Sequence, residues 1–160
     1  MVISESGKVT LVDFGLAVFS KSRDLMMAGT TFYIAPEMVL GKYDSRVDLW
    51  SLGVLSYLLL TTFLPFGGET REDVFVRICD SRLRFPEDSK LSKKARSFLK
   101  RLLRKDPDER MTTDQALQHP FIVDNLKGEF RQFTLGQERK KANSSNLSKR
   151  LSEETRSSYS

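Results

Sequence analysis

Three residues of this 160-residue chain, Asp13-Phe14-Gly15, stand where a carboxylate can do chemistry. They follow the apolar alternation Val9-Thr10-Leu11-Val12, which reads as a strand, so Asp13 is expected at a strand end. A carboxylate there is a hard oxygen ligand, able to hold Mg²⁺ against nucleotide phosphates. The plainer alternative is a turn acid after a strand. The tripeptide alone carries little weight, since chance places it in a chain of this length about one time in fifty. A second cluster adds the weight. Beyond a variable segment to Met27 comes Gly29-Thr30-Thr31-Phe32-Tyr33-Ile34-Ala35-Pro36-Glu37. Gly-Thr-x-x-Tyr running into Ala-Pro-Glu, about twenty residues after Asp-Phe-Gly, gives the motifs an order and a spacing that neither has alone.

The rest of the chain must position these groups. With 39% hydrophobic and 29% charged residues, it fits one globular unit with a modest core. The net charge of +5 raises nucleic acid as a partner. But Lys and Arg are spread among acids, without a basic stripe and interleaved aromatics, so a solvated surface with a basic tail is expected and nucleic acid is not. Cys79 is the single cysteine, which excludes a disulfide framework and a metal-cysteine site. His119, the single histidine, precedes Pro120 at a helix end and reads as structural. The N-terminus lacks the pattern of a signal peptide. Leu52 to Phe66, the most apolar stretch, is interrupted by Ser56, Tyr57, Thr61 and Thr62 and is too short to span a bilayer, so no membrane partner is expected.

Residues 1–12 read as two short strands with Gly7 in a tight turn. Residues 16–28 are a loop. Pro36 suits the first turn of a short helix that Gly41 ends. The central helix begins at Asp44-Ser45-Arg46-Val47-Asp48, with Ser45 and Asp48 in a capping-box pattern, and runs to about Thr61. It is apolar on most sides, so burial all round is expected. Thr70-Arg71-Glu72-Asp73 opens a helix with Val74, Phe75 and Ile78 as its apolar positions. Ser92 caps another, whose Ala95, Phe98, Leu99, Leu102 and Leu103 form a stripe at helical spacing. Thr112 with Gln115 caps a short helix, and Pro120 and Phe121 close the folded part. From about Asp124 the chain turns Ser-, Lys- and Glu-rich, and residues 124–160 are expected to be a disordered basic tail.

Residues 1 to about 123 resemble the C-terminal lobe of a eukaryotic serine/threonine protein kinase, most like the calcium/calmodulin-dependent group. The resemblance implies a mainly α fold, with helices around a buried central helix, an N-terminal β-hairpin and a disordered tail. Asp13 matches the metal-binding Asp of the activation segment, Phe14 the residue whose packing sets active or inactive poses, and Gly15 the hinge behind it. Ala35, Pro36 and Glu37 match the segment's end. Thr30 matches the Thr that supports the catalytic base, and its being Thr rather than Pro points to Ser/Thr substrates. Glu37 implies a buried pair with Arg110. Asp48, Trp50 and Gly53 match the central-helix signature, with Asp48 anchoring the catalytic loop. Met27, Thr31 and Ile34 match the pocket for the residue after the phosphorylated Ser. Leu58 stands where basophilic relatives carry an acid that reads Arg two residues before it.

The resemblance has departures. These 160 residues hold no glycine-rich phosphate loop, no Val-Ala-Ile-Lys strand, no helix Glu to pair with that Lys and no His-Arg-Asp loop with its base. Met26 stands where many kinases carry a phosphorylatable Thr, and Thr62 where the group often has Gly. The expectation is a C-lobe fragment, an incomplete gene model or a short product, inactive by itself, with ATP and Mg²⁺ bound only in a full-length parent. A non-catalytic kinase-like interaction module is the rival. Protein substrates bearing Ser or Thr are the implied partners. The tail is open to a regulatory protein, although its irregular apolar spacing argues against a partner-binding helix. The implied location is intracellular, cytoplasmic or nuclear.

Overall fold

The computed structural model describes residues 1–18, 30–41 and 43–126. Met27, most of the variable segment and the tail beyond residue 126 lie outside these. The described residues fall into two units, one up to Thr113 and one from Asp114 on. In the first, β1 (Val2–Ile3) pairs antiparallel with β2 (Val9–Thr10), Val2 opposite Thr10 and Ile3 opposite Val9. Gly7 closes the turn at φ 79°, where a side chain would be strained. β2 ends at Thr10, so Asp13 stands three residues past the strand rather than at its end. A 3₁₀ turn, Thr31–Tyr33, leads into α1 (Pro36–Val39), with Pro36 at the first helical position.

The central helix, α2, spans Arg46–Thr61. Its cap differs from the expected one. Ser45 is already helical at φ −60°, ψ −11° and its side chain makes no capping bond. Asp44 Oδ1 instead accepts the Arg46 N–H at 2.9 Å, so the cap lies one residue earlier. Asp and Ser cap about equally well; Asp44 also gains an ion pair with Arg46, which tips the choice. Burial of α2 is one-sided rather than complete. Trp50, Gly53, Val54, Tyr57 and Thr61 are buried, whereas Leu52, Leu59 and Leu60 are exposed. Its apolar residues serve two faces, and the described residues cover one of them.

Around the covered face stand α3 (Arg71–Asp80) and α4 (Lys93–Leu102). The Thr70 hydroxyl accepts the Asp73 N–H at 3.1 Å and the Asp73 carboxylate accepts the Thr70 N–H at 3.1 Å, a full capping box. Ser92 Oγ accepts the Ala95 N–H at 3.1 Å. Each such cap contributes about 1 kcal/mol. The five stripe residues expected on α4 are all buried, Leu103 as its C-cap. Trp50, Val54 and Tyr57 of α2 meet Val74 and Ile78 of α3, Leu99 and Leu103 of the α4 region, Phe66 and Ala35 in one core.

The helix α5 (Thr113–Leu117) starts at the boundary, and α6 (Pro120–Asn125) follows it in the second unit. Pro120 opens α6 rather than closing the fold, because a helix's first residue needs no N–H bond. Buried His119 caps it, its Nδ1 accepting the Phe121 N–H at 3.1 Å, which is a structural role. No helix among the described residues is long and apolar enough to cross a membrane.

Candidate functional site

α1 carries Glu37 into the interior, where an isolated carboxylate could not persist. Arg110, in the loop after α4, meets it with a planar fork: NH1 donates to Oε1 at 2.5 Å and NH2 to Oε2 at 2.8 Å. The remaining guanidinium donors go to backbone carbonyls: Nε to Arg104 at 3.0 Å, NH1 also to Arg46 at 2.9 Å and NH2 to Lys105 at 3.3 Å. The Arg110 side chain is 0% exposed. Its Cζ lies 5.2 Å from the Trp50 ring centroid, and Trp50 stacks on Phe66 at 5.6 Å. The Trp50 Nε1–H is buried without a hydrogen-bond partner among the described residues. The expected pair is therefore formed, and it ties the end of the Thr30–Glu37 segment to the loop after α4.

Gly53 has a packing reason. A Cβ built on it would lie 2.9 Å from Leu102 Cβ and 2.9 Å from Leu103 Cδ2, closer than real Cβ contacts come. The missing side chain lets α4 approach α2. Ser51, to which the sequence assigned nothing, donates its hydroxyl to Tyr33 O at 2.9 Å and to Val47 O at 3.2 Å. That bond fastens the 3₁₀ turn to the central helix. Finding it needed the Tyr33 carbonyl, 18 residues away in sequence.

Thr30 precedes the 3₁₀ turn with its side chain exposed, and its carbonyl accepts the Tyr33 N–H at 3.0 Å. Thr31 is half-buried, Ile34 and Ala35 are buried, and Leu58 is half-buried on α2. Asp13 is exposed and adopts a left-handed conformation at φ 64°. Its Oδ1 accepts the Gly15 N–H at 3.2 Å, and the second oxygen is unengaged among the described residues. Phe14 is exposed. Asp48 is exposed in the first turn of α2, and its carboxylate takes no hydrogen bond among the described residues. The structure thus joins Glu37, Arg110, Trp50 and Gly53 around one core, and leaves Asp13, Phe14 and Asp48 at the surface. Among the described residues, no cluster of three or more His, Cys, Asp or Glu side chains could hold a metal.

Residues 1–122 match the model of the protein kinase domain family. The chain belongs to the protein kinases. Over 127 residues it is 39% identical to the serine/threonine-protein kinase PEPKR2 of Arabidopsis thaliana, covering 77% of this chain and 27% of that protein. It is 38% identical over 122 residues to a CDPK-related protein kinase of Daucus carota, covering 74% and 20%. It is 35% identical over 124 residues to calcium-dependent protein kinase 25 of Arabidopsis thaliana, covering 75% and 24%. The chain therefore spans between a fifth and a third of the curated relatives it matches.

In this kinase chain a second charged group supports the first. Arg46, whose carbonyl receives Arg110, bonds Asp44 through Nε at 3.0 Å and Asp108 through NH1 at 2.5 Å. The Arg46 guanidinium beside Asp44 holds its carboxyl below the usual range. The two carboxylates push the Arg46 pKa up in turn. Sequence reading missed this group because Asp44, Arg46 and Asp108 each look like ordinary surface charges.

Proposed function

We propose that this chain is the part of an ATP-dependent serine/threonine protein kinase that carries a metal-holding carboxylate and seats the protein substrate. The observation that carries the reading is the Glu37–Arg110 fork. It pins the end of the Thr30–Glu37 segment against a rigid core, and phosphoryl transfer depends on positioning. Thr30 stands exposed at the start of the pinned segment, suited to steady a base supplied from outside the described residues. The relative PEPKR2, a serine/threonine-protein kinase, supports the choice of acceptor.

Asp13 fits a metal ligand in one respect: an exposed carboxylate with one oxygen unengaged is the hard donor that Mg²⁺ takes, often one or two such groups beside phosphate oxygens. Mg²⁺ held there would neutralise the phosphates of ATP. Asp13's own part is to keep its carboxylate aimed, and the Asx turn to Gly15 limits its rotation. Leu58 offers no carboxylate to a guanidinium, so Arg two residues before the phosphosite is not selected through α2. A hydrophobic residue after the phosphosite is favoured in this reading. The setting is intracellular, where ATP serves as donor.

A chimera tests the reading. Residues 1–122 replace the matching segment of an active related kinase, and transfer from MgATP to serine peptides is measured. The chimera is expected to be active and Asp13→Ala to cut transfer by about 100-fold or more. The 160-residue chain alone is expected to transfer nothing. The second reading, an interaction module, is favoured by the exposed apolar side of α2. A chimera that folds and binds substrate peptide yet transfers nothing would select it.

A further inference from the structure

The loop before α3, α3 itself and the stretch after it enclose a cavity of about 340 Å³, lined by Arg77, Arg82, Arg84 and Ser81 with Pro65 and Phe66. No acidic residue lines it. Arg77 NH1 donates to Gly67 O at 2.7 Å, so that guanidinium is held in place. Asp73, on the same helix as Arg77, has its carboxylate bonded to the Thr70 N–H and hydroxyl in the α3 capping box. Arg82 and Arg84 are exposed, and among the described residues neither has a carboxylate within ion-pair distance. Three arginines thus line one small space with no acidic residue in its lining, a charge balance that favours an incoming anion.

We infer that this pocket binds the phosphate of a phosphorylated Ser or Thr in a partner protein's extended segment. A planar guanidinium matches phosphate oxygens two at a time, and a dianion balances three arginines better than a single carboxylate does. The Ser81 hydroxyl adds a neutral donor. A peptide fits better than a lipid headgroup because the pocket opens along shared Phe66, Ser81 and Arg82 into a longer cleft of about 600 Å³. That cleft is lined by Leu83 and Leu103 and by both signs of charge, among them Asp80, Asp106, Arg104 and Lys105. A mixed-charge, partly apolar trough beside a purely cationic pocket suits a chain with one phosphorylated residue and neighbours of varied character. Lys105 is not a free cation there, since its Nζ donates to Cys79 O at 2.6 Å. The pocket uses none of Asp13, Thr30, Glu37 or Arg110, so the inference does not depend on the proposed transfer chemistry.

The test uses the full 160-residue chain and a fluorescein-labelled peptide library centred on one phosphoserine. Its unphosphorylated twin, inorganic phosphate and phosphatidylcholine vesicles carrying a phosphoinositide serve as the other probes. The phosphorylated library should bind about ten-fold or more tighter than its twin and weaken with added salt. Arg82→Ala with Arg84→Ala should remove that difference, while Lys93→Ala, outside the pocket, should keep it. Both arginines are exposed, so the double variant should keep the wild-type melt. Equal binding of the two libraries would overturn the inference. So would full binding by the folded double variant, or vesicles or inorganic phosphate binding as tightly as the phosphorylated library.

Discussion

Glu37 and Arg110, 73 residues apart in sequence, meet as a two-bond fork whose guanidinium is fully enclosed. Breaking a buried pair strands the other charge, at a cost of about 3–5 kcal/mol. Glu37→Ala and Arg110→Ala should each lower unfolding stability by that order, measured by urea titration. The double variant should cost much less than their sum. Arg110→Lys should fail to rescue, because one ammonium cannot fill a fork and three carbonyls. Additive losses below about 1 kcal/mol would mean the pair contributes little.

Gly53→Ala is a test in which two effects have opposite signs. Ala in place of Gly inside a helix ordinarily stabilises by about 0.5–1 kcal/mol. Here the added Cβ meets Leu102 and Leu103 at 2.9 Å, and both are buried. Overpacking costs about 1–3 kcal/mol, so a net loss is expected. A gain in stability would show that α4 can retreat from α2.

Elements governed by local rules were legible in the sequence. The opening of α3 at Thr70–Asp73, the Ser92 cap of α4 and the five-residue stripe of α4 rest on short-range patterns, and all appear in the structure. The Glu37–Arg110 pair was legible only through the order of family motifs, since no local pattern links residues so far apart. What was missed depends on neighbours distant in sequence. Asp44 displaces Ser45 as the cap by also pairing with Arg46, and Arg46 is set there by Asp108, 62 residues on. Ser51 acts through a carbonyl on another segment. The exposed side of α2 was hidden by its composition, because apolar residues on both faces look the same whichever face is covered.

Thr62 ends α2 at φ 63°, ψ 5°, a left-handed conformation that costs an ordinary residue about 1–2 kcal/mol. The position matters because the Thr62 N–H closes the last turn onto Leu58 O at 2.8 Å. Thr62→Gly should keep that bond and raise stability by about 1 kcal/mol in thermal or urea unfolding. No gain would mean that the Thr62 hydroxyl, bonded to Thr61 O at 2.6 Å, offsets the strain.

The Asp44 carboxyl, lowered below its ordinary 3.8 by its hydrogen bonds to Arg46, gives a pH signature. A depressed folded pKa means that the unfolded chain binds the proton more readily. The contribution is therefore complete above the unfolded pKa and lost as pH falls through the folded one. Asp44→Asn should flatten the acid limb of the stability curve below about pH 4 and leave its slope near pH 7 unchanged. Identical acid limbs for the two proteins would count against the Asp44–Arg46 contact.

Leu52, Leu59 and Leu60 lie along one stripe of α2, at spacings of seven and eight residues, with Phe63 just beyond its end; all four are exposed. Water cannot be excluded from these groups by anything in the described chain, and contiguous apolar surface favours association. The purified chain is therefore expected to self-associate at micromolar concentration in sedimentation velocity. Leu59, at 66% exposure, has little packing to lose. Leu59→Lys should reduce association and change unfolding stability by no more than about 0.5 kcal/mol. Were Leu59 instead holding the core, the same variant would lower stability sharply. A wild-type chain that sediments as a monomer across that range would show that this face does not drive association.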